Sequence, residues 1–294
     1  MNLIKARKDF GQKGTFMSYS RKFIAMCILS LTCGSLFAQT GFDFGLKGII
    51  QTSSLLNNTD QAAGNELNFK NNIAMGAGIA GGYSFSNHIG AELNILYSKQ
   101  GQGYTGDVTQ ISNANSGILS NEFKNMAGSN NITFSGNYTA DIALTCIKIP
   151  ILFRYTGDNT KKWYFSSFIG PQIDMLSSAA MQINGQNASF APYHVKMEDL
   201  YKKMTVDAVL GVGAACNLSD HIVLSVHFRL DYGLGDVENK SAATPTFGGF
   251  DKFYAPARTA THNATGGALI SLNYKLIKKT KEADKTKAAP GKKK

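Results

Sequence analysis

The sequence is poor in the residues that most catalytic and metal signatures require. Its 294 residues include 4 Cys, 5 His, 1 Trp and 6 Pro. Two of the cysteines, Cys27 and Cys33, fall in an apolar N-terminal stretch, which leaves Cys146 and Cys216. Two cysteines do not frame a disulfide-stapled domain, and no Cys/His group has zinc-ligand spacing. So few prolines exclude collagen-like and Pro-rich linker architectures. Charged residues make up 17% of the chain, below the ~25% of an average protein, so most of it is not a disordered polyelectrolyte. No stretch reaches the roughly 18–20 clean apolar residues of a spanning helix.

The net charge of +10 sits at the ends. Residues 1–38 carry six Lys/Arg and one acid; residues 278–294 carry eight Lys against Glu282 and Asp284. The body between them is left at −1 (+10, less +5 and +6). A basic pI that belongs to the termini does not make a phosphate-binding face, so no nucleic-acid partner is expected. Arg21 and Lys22 precede an apolar run that closes on Ala38, the layout of a cleaved secretory signal. Residues 17–38 form a complete signal alone, so translation can start at Met1 or at Met17. The run is short for a membrane anchor, and Ser30-Leu31-Thr32-Cys33 fits a lipoprotein box poorly. Residues 1–38 are thus expected to be a signal peptide, 39–277 the folded domain and 278–294 a disordered Lys-rich tail.

Past residue 40 the dominant pattern has period two, the signature of half-buried strands. Eight such runs cover 42–50, 73–85, 89–98, 141–155, 163–175, 204–217, 222–234 and 266–276. In the cleanest, Ile222, Leu224, Val226, Phe228, Leu230, Tyr232 and Leu234 oppose Ser225, His227, Arg229, Asp231 and Gly233. Most runs exceed the ~5–6 residues of soluble strands and cover the ~9–11 tilted residues that cross a bilayer. Connections alternate. Tight polar turns follow the second, fourth and sixth runs, whereas residues 51–72, 99–140, 177–203 and 235–265 are long polar loops. Short turns in the periplasm and long loops outside are the pattern of an outer-membrane barrel. The expected fold is all-β: an eight-stranded antiparallel up-and-down transmembrane β-barrel. A lipocalin-like soluble barrel, with its apolar face inward, is the competing direction.

In such a barrel the apolar face meets lipid and the polar face becomes the lumen. The polar faces carry Asp43, Lys47, Glu92, Lys148, Arg154, Asp174, Asp207, Arg229, Asp231 and Lys275, five acids and five bases. That balance suits a buried charge network plugging a narrow lumen; a selective pore would more often show rings of one sign. His227 joins this face beside Ser225 and Arg229 and is expected to be part of the network. Pro150 inside a strand suggests a bulge or a strained edge. Aromatics gather toward the turn end (Phe42, Phe44, Tyr83, Phe85, Phe153, Tyr155, Trp163, Phe165, Tyr274), with Tyr97 and Tyr232 nearer the loops, as interfacial girdles would. Residues 197–203 suggest a short helix. Cys146 and Cys216 fall on non-neighbouring strands, so no disulfide is expected.

Several segments resemble the PorT-like outer-membrane β-barrel family of Bacteroidetes. They are Gly45-Leu46-Lys47-Gly48, residues 147–155 (IKIPILFRY), Phe168-Ile169-Gly170-Pro171-Gln172, Leu210-Gly211-Val212-Gly213 and, more loosely, residues 227–234. The resemblance spans roughly 41–277. It implies the barrel and a link to type IX-like secretion. Family members usually end on the last strand with a terminal aromatic; here Tyr274 and Leu276 are followed by the Lys-rich tail.

The sequence carries no catalytic signature. There is no G-x-S-x-G elbow, and the glycines at 78, 81, 82, 211 and 213 read as strand glycines rather than phosphate cradles. No catalytic residue, cofactor or metal is expected. The reading is a monomeric outer-membrane barrel with a structural or surface-interaction role, contacting outer-membrane lipid. Its alternatives are a narrow ion or solute pore and an accessory part of a secretion system. The tail would meet a periplasmic anionic partner such as peptidoglycan.

Overall fold

Alternating apolar and polar residues put one face of each strand against the lumen, and the strands close on themselves. The computed structural model describes residues 41–62, 67–70, 72–107, 119, 136–185, 192–241, 243–246, 249–252 and 259–276. The expected signal peptide (1–38), Cys27 and Cys33, and the Lys-rich tail (278–294) lie outside these residues. The elements are β1 (Gly41–Leu56), a short helix α1 (Asn58–Ala62), β2 (Asn68–Lys70), β3 (Asn72–Ser84), β4 (Ile89–Asp107), β5 (Asn137–Thr156) and β6 (Trp163–Gly185). They continue with β7 (Tyr193–Lys196), a 3-10 turn (Glu198–Leu200), β8 (Met204–Asn217), β9 (Ile222–Gly233), β10 (Ala243–Thr246), β11 (Gly249–Lys252) and β12 (His262–Lys275).

Antiparallel pairing runs β1-β3-β4-β5-β6-β8-β9-β12 and returns from β12 to β1. These eight strands form a closed ring with no free edge, which is what a sheet needs to sit in hydrocarbon. Two of the tight turns use one device. Ser86 Oγ accepts from the amides of His88 (3.2 Å) and Ile89 (3.1 Å), and Ser219 Oγ accepts from those of His221 (3.3 Å) and Ile222 (3.1 Å). Each turn's His then reaches the neighbouring strand: His88 Nδ1 lies 2.9 Å from the Thr156 carbonyl and His221 Nδ1 3.0 Å from that of Lys275. In the third turn the Thr160 hydroxyl and amide donate to Asp158, holding its carboxyl below the usual carboxylate range.

The outward face of the ring is apolar. Phe44, Leu46, Ile79, Ile151, Ile169, Leu210, Phe228 and Leu272 are all exposed, as are all eleven aromatics assigned to the girdles. This band stops before the strands do. Above Ile147 the outward side of β5 turns to Thr145, Ala143, Asp141 and Thr139, and above Met175 that of β6 turns to Ser177, Ala180 and Gln182. The inward side inverts at the same height. Tyr138, Ala140, Ile142, Leu144 and Cys146 of β5 and Ala179, Met181 and Ile183 of β6 form a buried apolar core. The longest strand, β6, has 23 residues, roughly 55 Å of height at ~3.3 Å per residue and ~40° tilt, against an apolar band of about 25 Å. The β4–β5–β6 wall therefore stands well clear of the membrane, widened by β2 on β4 and β7 on β6.

Several expectations change here. Segments 99–140 and 177–203 are not loops throughout: strand continues to Asp107, resumes at Asn137 and runs on to Gly185. The lumen-facing side is polar only within the band, because beyond it the outer solvent is water and the apolar side chains turn inward. Pro150 makes neither a bulge nor an edge. The β4–β5 register is the same on both sides of it (Leu93↔Ile151, Leu96↔Lys148), and only the pairs between are missing, which fits the absent amide. The bulge is at Ser177, where the β5–β6 register shifts between Thr145 and Cys146 and the inward parity of β6 changes from Asp174 to Ala179. The short helix of 197–203 is one 3-10 turn, Glu198–Leu200.

A charge in the band and a charge on the wall above it should differ. Leu210→Arg, facing lipid, is expected to destabilise the barrel by ~2–4 kcal/mol, and Gln182→Arg by less than about 0.5 kcal/mol. Urea titration of both variants refolded in lipid vesicles measures the difference.

Candidate functional site: the sealed lumen

All ten charged residues assigned to the polar faces line the interior; eight are buried and Arg154 and Lys275 are partly so. They do not form one network. Near the short-turn end, Arg154 grips Asp43 with both Nη atoms (3.0 and 2.6 Å) and reaches Glu92 (3.3 Å) and Ser84 Oγ (3.3 Å). Lys47 Nζ lies 2.7 Å from the other oxygen of Glu92. The planar guanidinium suits this fork, which an ammonium could not make.

The second group is nearer the loops. Arg229 donates to Asp231 from Nε (2.7 Å) and Nη2 (3.1 Å), and also to Gln172 Oε1. Lys148 Nζ lies 2.9 Å from Asp231 and 3.8 Å from Asp174. Asp207, fully buried, sits opposite Gln172 in the β6–β8 ladder. Its carboxyl lies beside that of Asp174. Lys275 belongs to neither group. Its Nζ donates to Asn217 Oδ1 at 3.4 Å and lies 5.9 Å from the Tyr164 ring centre.

An apolar layer separates the two ion groups. Ile49, Leu152, Phe168, Val209 and Leu269 pack together, all buried. Along β5 the inward order from the turn end is Arg154, Leu152, Lys148, so the layer lies between the charges. Phe168 crosses to Gly211, where any Cβ would overlap its ring. His227 packs on the same ring at 5.1 Å between centroids. It is 5% exposed, and neither ring nitrogen has a partner among the described residues. His227 is therefore packed against the apolar layer, outside the hydrogen-bonded ion groups.

The loop end is closed by a roof. Leu55, Leu67, Leu119, Met197, Leu200, Tyr201 and Val237 complete the upper core. Residues 200–202 and 237–239 pair across it through Lys202 N to Val237 O (2.8 Å) and Asn239 N to Leu200 O (2.8 Å). Asp236 anchors the second segment. It accepts from the Thr261 amide (3.0 Å) and the Glu238 amide (3.1 Å), and its other oxygen lies 2.9 Å from Lys240 Nζ. Partial burial alone would raise this carboxyl, but these donors hold it below the usual range. The clasp is therefore held at neutral pH and released as pH falls below that range.

The apolar layer and the roof were not foreseen. The layer's residues are single apolar positions on otherwise polar faces. The roof had a signal: apolar residues are odd-numbered over 147–155 and even-numbered over 138–146. Chemically, the arrangement holds ions in fixed pairs, with an apolar layer between the two groups. Among the described residues no group of three or more His, Cys, Asp or Glu could hold a metal ion.

Replacing Arg229 by Leu leaves Asp231 with Lys148 and the Gln172 amide, and removes the donor to Gln172 Oε1. The expected loss is ~3–5 kcal/mol, the usual cost of breaking a buried ion pair from one side. It should appear as an earlier temperature for the heat-dependent gel shift; an unchanged shift would show that the upper group contributes little.

The fold has relatives. Neisserial surface protein A is similar at 8% identity and a TM-score of 0.35, with 80% of this chain and 98% of that one covered. OprG from Pseudomonas aeruginosa is similar at 12% and 0.37, covering 82% and 99%; Ail of Yersinia pestis at 8% and 0.33, covering 82% and 99%. Likeness at this level adds nothing to the ring of pairings above. No curated protein matches the sequence. A family model, the outer membrane protein beta-barrel domain, matches residues 37–239. That is more than half of the chain, and the chain belongs to this outer-membrane β-barrel family.

Proposed function

We propose that this barrel is a closed, non-enzymatic scaffold that presents its loop end for surface interaction. The observation that carries the reading is the double closure of the lumen: an apolar layer at mid-height and an apolar roof at the loop end. A conducting pore needs a continuous wet path of fixed charge. Here the ion groups are paired within themselves and separated by side chains that water does not solvate. The wall of β4, β5 and β6 continues the sheet beyond the membrane and gives the loops a rigid base. Rigid supports carrying variable loops are the usual arrangement for recognition.

In this reading a signal peptide ending at Ala38 directs export. The long loops face the outside, the turns and the Lys-rich tail face the periplasm, and the barrel acts as a monomer. The PorT-like motifs favour a second reading, an accessory role in secretion. They fall on β1, β5, β6, β8 and β9 and so concern the barrel wall rather than the loops.

Planar-bilayer recording separates closed scaffold from pore: no stable open current is expected, and a steady single-channel step would contradict the proposal. Orientation is read in intact cells with a membrane-impermeant maleimide. Asn115→Cys, in the long loop and outside the described residues, is expected to label. Asn159→Cys, in a short turn, is expected to stay unlabelled until the outer membrane is permeabilised.

A further inference from the structure

The apolar band ends along one line of the extended wall. Tyr97, Ile147, Met175 and Met204 pair in series across β4, β5, β6 and β8, and all four are exposed. Toward the loop end they are the last large apolar side chains on the outward faces of these strands. The next outward positions carry lysine on both flanks. Lys99 follows Tyr97 on β4, and Lys202 stands two residues before Met204 with Tyr201 buried behind it. Lys203 adjoins β6, its carbonyl accepting from the Leu176 amide at 2.9 Å, and Lys196 of β7 pairs with Ala180 higher on β6. All four lysines are exposed. Among the described residues none of them is in an ion pair, although Glu198 and Asp199 lie on the 3-10 turn between Lys196 and Lys202. Between the two flanks the wall presents small side chains, Ala143 of β5 and Ser177 and Ala180 of β6. On the other half of the rim, Thr52 and Ser54 of β1 and Ala264 and Gly266 of β12 are uncharged.

From this arrangement we propose that the wall is a docking shelf for anionic lipid headgroups, held through their phosphates. Acyl chains lie against Tyr97, Ile147, Met175 and Met204, and the headgroups rest on the lysines just above. A lysine at this level lays its stem along the apolar rim and holds its ammonium among the headgroups. There it attracts anionic lipid by about 1 kcal/mol. Lys99 and Lys202 are three strand spacings apart, roughly 14 Å at ~4.8 Å each, so each meets a phosphate of its own. The small side chains between them let headgroups approach the sheet. The wall thus gives a general attraction a fixed place, on one half of the circumference. This inference rests on the lipid-facing band, and not on what the loops bind or on which leaflet the loop end meets.

The full chain is refolded into phosphatidylcholine vesicles containing a little phosphatidylglycerol with a photoreactive group beside its phosphate, and the attached peptides are read by mass spectrometry. Attachment is expected to concentrate on the peptides that hold Lys99 and residues 196–203. It should fall about fivefold at the first peptide in Lys99→Gln and about fivefold at the second in Lys202→Gln, the equivalent of ~1 kcal/mol per lysine. Attachment spread evenly around the rim, or yields indifferent to both substitutions, overturns the proposal. So does equal attachment of glycerol phosphate carrying the same group free in solution, which would make the shelf a site for soluble phosphate. A lipid labelled at the end of its acyl chain attaches to the band around Ile169 and Leu210 whether or not the shelf exists, so failure of the shelf is distinguishable from failure of the lipid-facing band.

Discussion

The structure depends on a change of outer solvent partway along its strands. Within the bilayer an outward side chain meets hydrocarbon, and above it meets water, while side chains along each strand go on alternating between the two faces. The chain meets both demands by exchanging which side of the strand is apolar. Ile147, Ile151 and Phe153 face out on the lower part of β5, and Ile142 and Leu144 face in on its upper part. On β6 the bulge at Ser177 shifts the parity at the same level. Register elsewhere is held by the closed ring, which leaves no edge free to slip.

That exchange decides what the interior can be. Polar side chains inside the band must satisfy one another, since they are cut off from lipid and water alike. Most of the charged ones do so in two compact groups, one around Arg154 and one around Arg229 with Lys148. Bidentate guanidinium contacts fix direction as well as charge. The apolar layer between them keeps each group apart from the other, and the roof closes what would otherwise be a wet mouth. In the proposed reading, an interior interrupted by that layer and roof leaves the loop end as the functional surface.

Much of the barrel was legible in the residues. Period two gave all eight ring strands, and the alternation of Ser86-Asn87-His88 and Ser219-Asp220-His221 turns with long segments gave the order of short and long connections. The ten charges were assigned to the interior from parity alone, and the structure places every one there. Their partners were not legible, because pairs such as Lys148 with Asp231 lie on strands that are not sequence neighbours and depend on barrel stagger. The same holds for the layer of Ile49, Leu152, Phe168, Val209 and Leu269, which comes from five different strands. The upper core was missed for another reason. Polar spacers such as Thr139, Asp141 and Thr145 looked like loop, although the phase reversal between Cys146 and Ile147 marked the membrane surface.

The most direct measurement is spin-label accessibility along the outward side of β6. Single cysteines at Ile169, Ile173 and Gln182, on a chain with Cys146 and Cys216 replaced by Ala, are labelled after refolding into vesicles. Collision with oxygen should exceed collision with a water-soluble nickel chelate at 169 and 173, and the order should reverse at 182. Labels at 169 and 173 that meet the chelate more often than oxygen would contradict a lipid-facing apolar band.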